Sequence, residues 1–286
     1  MLCFIAFIVL LYGFQISKYR IGWDKIKPES HQGFIPKVSI VIAMRNEESE
    51  IPRLIAALKK QIYPTDALEF ILVNDHSTDA TLALLEQATM DNLQIVNMPE
   101  GEFGKKNAIE KAVQIAMGDI ILATDADCSF TPNWVRIMVG YFADDQIQLV
   151  SGPVGFHKQT GIFQSLQALE FASLIGSGAG AIGMGNAIFC NGANMAYRKA
   201  IFLEVNDFEN DKAVSGDDVF LLHSIKTKYP KAIAFAKDED ALVTTEGVQN
   251  IAGFINQRKR WAAKSSSYKD LASIYTSFLV LFTNLI

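Results

Sequence analysis

Carboxylates recur in this chain at places where a fold can aim them at a ligand. Asp75 directly follows the apolar run Phe70-Ile-Leu-Val73, and Asp125 and Asp127 flank Ala126 just after Ile120-Ile-Leu-Ala123. Asp217 and Asp218 open a helical stretch, and Gln257-Arg258-Lys259-Arg260-Trp261 lies near the end. If the backbone stays extended, an Asp-x-Asp pair points both carboxylates to one side. There they can hold a hard divalent ion, Mg²⁺ or Mn²⁺, against diphosphate oxygens. A carboxylate at a helix N-terminus is favoured in its ionised form by the helix dipole and can serve as a general base. Arginine offers diphosphate a planar fork of donors. Residues three and four apart on a helix share a face, so Gln257 can point the same way as Arg260 and Trp261. Spacing alone supports a phosphate-and-metal site and no more.

The elements that must position these groups alternate regularly. Val38–Ala43 is a continuous apolar run, as a strand covered on both faces should be. Ile51, Leu54, Ile55 and Leu58 then mark one face of a helix. Phe70–Val73 predicts the second strand, Asp79–Met90 a helix, Leu93–Val96 a third strand and Asn107–Met117 a helix. Gly118 follows that helix in the place of a left-handed cap, and Ile120–Ala123 is a fourth strand. Thr131-Pro132 predicts another helix start. Strand and helix in alternation predict an α/β fold with a mainly parallel sheet covered by helices. Ligands of such sheets sit beyond the carboxyl ends of the strands, where Asp75, Asp125 and Asp127 stand. No glycine fingerprint follows the first strand, which runs into Arg45-Asn-Glu-Glu48, so a dinucleotide-binding domain is disfavoured. Further on, Ser165–Ile175, Asp218–Lys228 and Val248–Lys264 predict helices, and Gly176–Gly185 predicts a close packing or a bend.

The 286 residues are 50% hydrophobic with a formal net charge of -5. That charge excludes the basic stripe of a nucleic-acid binder. Mean hydropathy is +0.17, and the excess sits at the two ends. Leu2–Ile16 is almost wholly apolar, with Tyr19 as an interfacial anchor, and predicts a transmembrane anchor over residues 1–19. Lys18, Arg20, Lys25 and Lys27 on its downstream flank place the bulk of the protein on the cytoplasmic side. A proline-punctuated linker, 20–35, leads to a catalytic domain at 36–265. The apolar stretch 271–286 predicts the start of a second membrane segment, cut short at Ile286. Cys3, Cys128 and Cys190 are widely spaced and indicate neither zinc nor a disulfide framework.

With these clusters in this order, the chain resembles the inverting family 2 glycosyltransferases of the GT-A fold from about Pro36 to Lys264. It looks most like the membrane-anchored branch that includes cellulose, hyaluronan and poly-N-acetylglucosamine synthases and ceramide glucosyltransferases. The specific element is Q-x-x-R-W at Gln257, Arg260 and Trp261, with the other clusters upstream. The resemblance implies a nucleotide-sugar donor, a UDP-sugar, and a carbohydrate or lipid acceptor at a membrane. It makes Asp75 the acceptor of uracil N–H and places Lys105 near the donor. Asp127 becomes the direct metal ligand, and Asp125 binds the ribose or the metal shell. Asp218 inherits the role of general base, with Asp217 beside it on the acceptor side. Gln257 and Arg260 bind the donor diphosphate, and Trp261 floors the acceptor site. A sugar nucleotidyltransferase would want a glycine-rich basic loop after the first strand, where this chain is acidic. A non-catalytic membrane nucleotide-binding protein could dispense with Asp218 and Q-x-x-R-W, and all are present.

Overall fold

The computed structural model describes residues 2–28, 31, 33–157, 160–205, 217–265 and 267–286. Its centre is a seven-stranded mixed sheet in the order β3-β2-β1-β4-β8-β6-β9. The four strands β1 (Val38–Met44), β2 (Leu68–Asn74), β3 (Leu93–Asn97) and β4 (Ile120–Ala123) run parallel. β8 (Met195–Arg198) is antiparallel to β4 and to β6 (Leu149–Ser151), and β9 (Ile233–Phe235) lies parallel to β6. β2 and β4 are buried along their whole length and β1 nearly so. This is why they read as unbroken apolar runs: a sheet covered on both faces has no polar side to alternate with. A second sheet of three short strands, β5 (Ser129–Phe130), β10 (Val243–Thr245) and β7 (Val154–Phe156), stands beside the end of β4.

The covering helices are α2 (Ile51–Lys59), α3 (Thr81–Glu86), α4 (Lys105–Ile115), α5 (Trp134–Gly140), α6 (Ile162–Gly183), α7 (Lys199–Val205) and α8 (Asp217–Lys228). α2 buries Ile51, Leu54, Ile55 and Leu58, the face expected from their spacing. Other expectations need correction. α3 ends at Glu86, short of Met90, and Thr131 does not cap α5, which starts at Trp134; the Thr131 hydroxyl donates to Asp240 O at 2.7 Å instead. Gly118 does not take the left-handed backbone of a cap. A side chain there would strike Ser39, its Cβ lying 2.5 Å from Ser39 N. Its N–H donates to Ser39 Oγ at 2.9 Å and to the buried Glu69 carboxylate at 3.2 Å, so the position is glycine for close approach.

The ends differ most from expectation. Residues 20–25, expected as linker, continue helix α1 (Leu2–Lys25), so the predicted break after residue 19 falls inside a helix. No helix among the described residues is long and apolar enough to cross a membrane. The second half of α1 carries Gln15, Ser17, Lys18, Arg20 and Asp24, which interrupt the roughly 20 apolar residues a span needs. α10 (Leu271–Leu285) has 15 residues. The glycine-rich stretch 176–183 packs closely, one of the two outcomes expected of it, and stays within α6. It lets α1 lie backbone to backbone on that helix: a Cβ on Gly180 would sit 2.2 Å from Tyr19 O, and one on Gly183 2.1 Å from Gly22 O. Tyr19 Oη and Thr276 Oγ1 share a 3.0 Å hydrogen bond that joins α1 to α10, the helix after α9 (Ile251–Ser265).

Asn194, fully buried, ties the two sheets together. Its Oδ1 accepts from the Trp134 indole at 3.0 Å, and its Nδ2 donates to Pro153 O and Ala241 O, each at 2.8 Å. Asn194→Ala leaves one buried donor and two buried carbonyls without this partner, at roughly 1–3 kcal/mol for each unsatisfied group. The expected loss is about 3 kcal/mol or more, which lowers Tm by about 6 °C or more in a domain of this size. Thermal denaturation checks this, and an unchanged Tm contradicts it.

Candidate active site

Three strand-end loops and the start of α8 converge on one region. After β1 the chain turns through Asn46, in the left-handed region at φ 58°, and locks onto the loop after β2. Asn46 Oδ1 accepts from Thr78 N at 2.8 Å, Glu47 N donates to Thr81 Oγ1 at 2.8 Å, and Glu48 N donates to Asp79 Oδ2 at 3.2 Å. Asp79 also accepts from Thr81 N at 3.0 Å, so it holds the start of α3 as a capping aspartate does. Asp75, just past β2, is only 6% exposed. One of its oxygens accepts from Gly104 N at 2.9 Å and the other meets His76 Nδ1 at 3.0 Å. A carboxylate can only accept, so the imidazole carries a proton on Nδ1. Asp75 thereby fastens the 101–104 loop, which leads into α4, to the end of β2.

At the end of β4 the backbone turns at Ala126 and Asp127 instead of staying extended. Ala126 is buried and both aspartates are half-exposed. Asp125 pairs with the Lys105 ammonium at the start of α4. Asp127 Oδ2 accepts from Thr245 Oγ1 at 2.7 Å, and its backbone carbonyl accepts from Arg53 Nη2 at 2.7 Å. Burial, together with the charges of Asp127, Glu50, Asp125 and Asp79, pushes the Glu47 carboxyl up from 4.5 to about 7. Glu47 therefore lies within electrostatic reach of the aspartate pair. Among the described residues no three His, Cys, Asp or Glu side chains are placed to hold an ion by themselves. Two carboxylates in a negative field are the protein half of a Mg²⁺- or Mn²⁺-type site, whose remaining ligands come from water and phosphate oxygens. Cys128 is buried beside them; burial and the Asp125 and Asp127 charges raise its thiol pKa, which fits an inert packed side chain.

Asp218 stands at the first turn of α8. Its carboxylate accepts from Gly192 N at 3.0 Å and from Val219 N at 2.9 Å. A Cβ on Gly192 would lie 3.3 Å from Asp218 Cβ, which explains the small residue in the Asn191–Asn194 turn. A cavity of about 20 Å³ lined by Lys105, Gly192 and Leu221 connects this turn with the start of α4. Tyr268 lies near enough for Asp218 to contribute, after burial, to raising its hydroxyl pKa to about 12. Gly216 and the side chain of Asp217 lie outside the described residues.

The structure thus brings Asp75, Lys105, Asp125, Asp127 and Asp218 into one region. The predicted residues of α9 sit elsewhere on the framework. Phe254, Arg258 and Trp261 share the face that packs on α6. The Arg258 guanidinium lies 4.4 Å from the Phe254 ring centroid and 4.1 Å from that of Trp261, and it pairs with Glu170 through Nε at 3.0 Å. Gln257 Oε1 accepts from Arg258 Nη1 at 2.8 Å, while Arg260 is exposed. Trp261 is half-buried with its ring centroid 6.1 Å from that of Phe171. Arg258 therefore spends its charge on protein partners. Among the described residues no hydrogen bond or ion pair joins Gln257, Arg260 or Trp261 to the carboxylate cluster. Sequence reasoning missed Thr245 and Arg53, for which no motif speaks, and undervalued Glu47, whose signal was its place in the acidic loop after β1.

The glycosyl transferase family 2 profile matches residues 39–205, more than half of the chain. The chain belongs to glycosyl transferase family 2. Among curated relatives, the β-monoglucosyldiacylglycerol synthase of Synechocystis sp. is 34% identical over 111 residues, covering 38% of this chain and 23% of that protein. The poly-β-1,6-N-acetyl-D-glucosamine synthase of Staphylococcus epidermidis is 24% identical over 260 residues, 88% of this chain and 60% of that protein. The chain thus spans between about a quarter and three fifths of the length of these relatives. Among solved structures, the mannosyltransferase PcManGT of Pyrobaculum calidifontis, in complex with GDP-Man and Mn²⁺, superposes with a TM-score of 0.65 at 17% identity. That match covers 98% of this chain and 81% of the other. The fold is GT-A-like, α/β with a mainly parallel mixed sheet.

Glu47 yields a test of the carboxylate crowding. Its folded pKa lies above its ordinary 4.5, so between 4.5 and about 7 the folded protein binds more protons than the unfolded chain. Stability therefore falls as pH rises through that window in protein free of divalent ions. Glu47→Gln removes this contribution, so the variant gains on the wild type from pH 4.5 to pH 7.5. Urea unfolding in chelator at the two pH values measures it; parallel pH profiles contradict the assignment.

Proposed function

We propose that this chain transfers a sugar from a nucleotide sugar, a UDP-sugar, to a hydroxyl of a carbohydrate or lipid acceptor, with inversion at the anomeric carbon. The observation that carries the reading is that Lys105, paired with Asp125, and Gly192, bonded to Asp218, line one small cavity. One side suits a diphosphate, and the other presents a carboxylate that can accept a proton. Asp218 takes the proton of the acceptor hydroxyl as its oxygen bonds to the anomeric carbon, and the bond from that carbon to the diphosphate oxygen breaks. The two backbone N–H groups on Asp218 aim its carboxylate. Asp127, with Asp125, would hold Mg²⁺ or Mn²⁺, which supplies positive charge to the leaving diphosphate when bound. Lys105, on the donor side, adds a further positive charge, and Asp75 organises the pocket for the base. Gln257, Arg260 and Trp261 belong to this reading as later contacts, Arg260 to the diphosphate and Trp261 to the acceptor. The exposure of Arg260 leaves it free to turn toward a ligand.

We place the protein at the cytoplasmic face of a membrane. Exposed apolar side chains along α1 and α10, among them Leu10, Phe14, Phe278 and Leu281, support contact with lipid. Lys18, Arg20 and Lys25 on the same first helix suit anionic headgroups.

A radiolabelled donor screen with membranes containing the protein tests the proposal. Transfer from a UDP-sugar is expected and should stop in excess chelator. Asp218→Asn should keep donor binding and slow turnover by roughly 10²–10⁴-fold, the usual weight of acid–base catalysis. If Asp217→Asn abolishes turnover and Asp218→Asn leaves it intact, the base is the neighbouring residue. Undiminished transfer in chelator removes the ion from the reaction.

A further inference from the structure

His76 occupies a position that its neighbours make unusual. It follows Asp75 at the end of β2 and holds the left-handed backbone, φ 56°, which few non-glycine residues adopt. Such conformations persist where the surrounding structure holds them and cluster at ligand-binding sites. Asp75 fixes the imidazole through Nδ1, while Nε2 is buried with no hydrogen-bond partner among the described residues. The ring is covered by Phe103, with centroids 4.3 Å apart and planes 36° apart. Phe103 itself is 55% exposed, an aromatic ring turned to solvent on one side and resting on a histidine on the other. Gly101 at φ 92° and Gly104 at φ 97° bracket it, and neither has a neighbour within 4 Å of where its Cβ would be.

We propose that His76 is the stacking platform for the donor's nucleobase, and that Phe103 is the ring the base displaces. The inference rests on the nucleotide-sugar reading above and assigns its base-binding residue. Asp75 is nearly buried, and each of its oxygens already serves Gly104 or His76. Asp75 also positions the platform: it holds the imidazole and the Gly104 end of the loop in place. The imidazole supplies the flat face. A base cannot slide between the two rings, because a sandwich needs about 7 Å between their planes, twice the usual contact distance of roughly 3.5 Å. The base must take Phe103's place, and the paired glycines give the loop its freedom to yield. Stacking of this kind accepts any base, since every base has a π-face.

The test is isothermal titration of the full chain with UDP, GDP and pyrophosphate in Mn²⁺. His76→Gly removes the ring and suits the backbone, so the fold is kept. It should weaken nucleotide binding about tenfold, within the range of one base–aromatic stack, and leave pyrophosphate binding unchanged. His76→Tyr should restore most of the affinity. Phe103→Ala should tighten nucleotide binding severalfold, because no ring has to be displaced. Nucleotide affinity in His76→Gly equal to that of wild type overturns the platform while the nucleotide-sugar reading stands. Weaker binding in Phe103→Ala overturns the displacement. If wild type binds pyrophosphate but neither nucleotide, both the platform and the donor reading fall.

Discussion

Glu47, Asp125 and Asp127 lie close enough for their mutual repulsion to help lift one carboxyl to about 7, and the surrounding structure has to contain that repulsion. It does so with directed groups more than with bulk charge. Lys105 answers Asp125, Thr245 answers Asp127, and Arg53 grips the backbone of Asp127. The loops after β1 and β2 are laced by side-chain-to-backbone hydrogen bonds, which fix the carboxylates without neutralising them.

Much of this was legible in the sequence where burial leaves a plain signal. β1, β2 and β4 are apolar on both faces, so their runs and the polar residues that end them mark the strand ends. Asp75, Asp125 and Asp127 were found for that reason. The second sheet was not legible, because strands of two or three residues carry no period. The Gly176–Gly183 stretch reads as a close packing or a bend, and the sequence cannot choose between them because glycine is a poor helix former. What keeps it helical is tertiary: small residues allow a backbone contact with α1 that no larger side chain permits.

The helix carrying Q-x-x-R-W shows a different limit. Periodicity says which residues share a face, but not which face meets the protein. Phe254, Arg258 and Trp261 share one, and α6 offers Glu170 and Phe171 to it. The Asn191–Asn194 turn contains a crosspost, Asn194, whose amide serves Trp134, Pro153 and Ala241 at once. The roles of Thr245 and Arg53 depend on contacts across 118 and 74 residues of chain, and nothing local announces them.

The backbone contact between α1 and α6 has a mechanical consequence. α6 is 22 residues long, about 33 Å at 1.5 Å per residue. Its glycine end is seated on α1, and further toward its other end Glu170 grips Arg258 of α9. At Gly22, Gly180 and Gly183 backbone meets backbone, so the joint has little to compress. A tilt of α1 is therefore expected to carry α6 with it, as a shaft turns with its bearing, and α6 is the helix on which α9 rests.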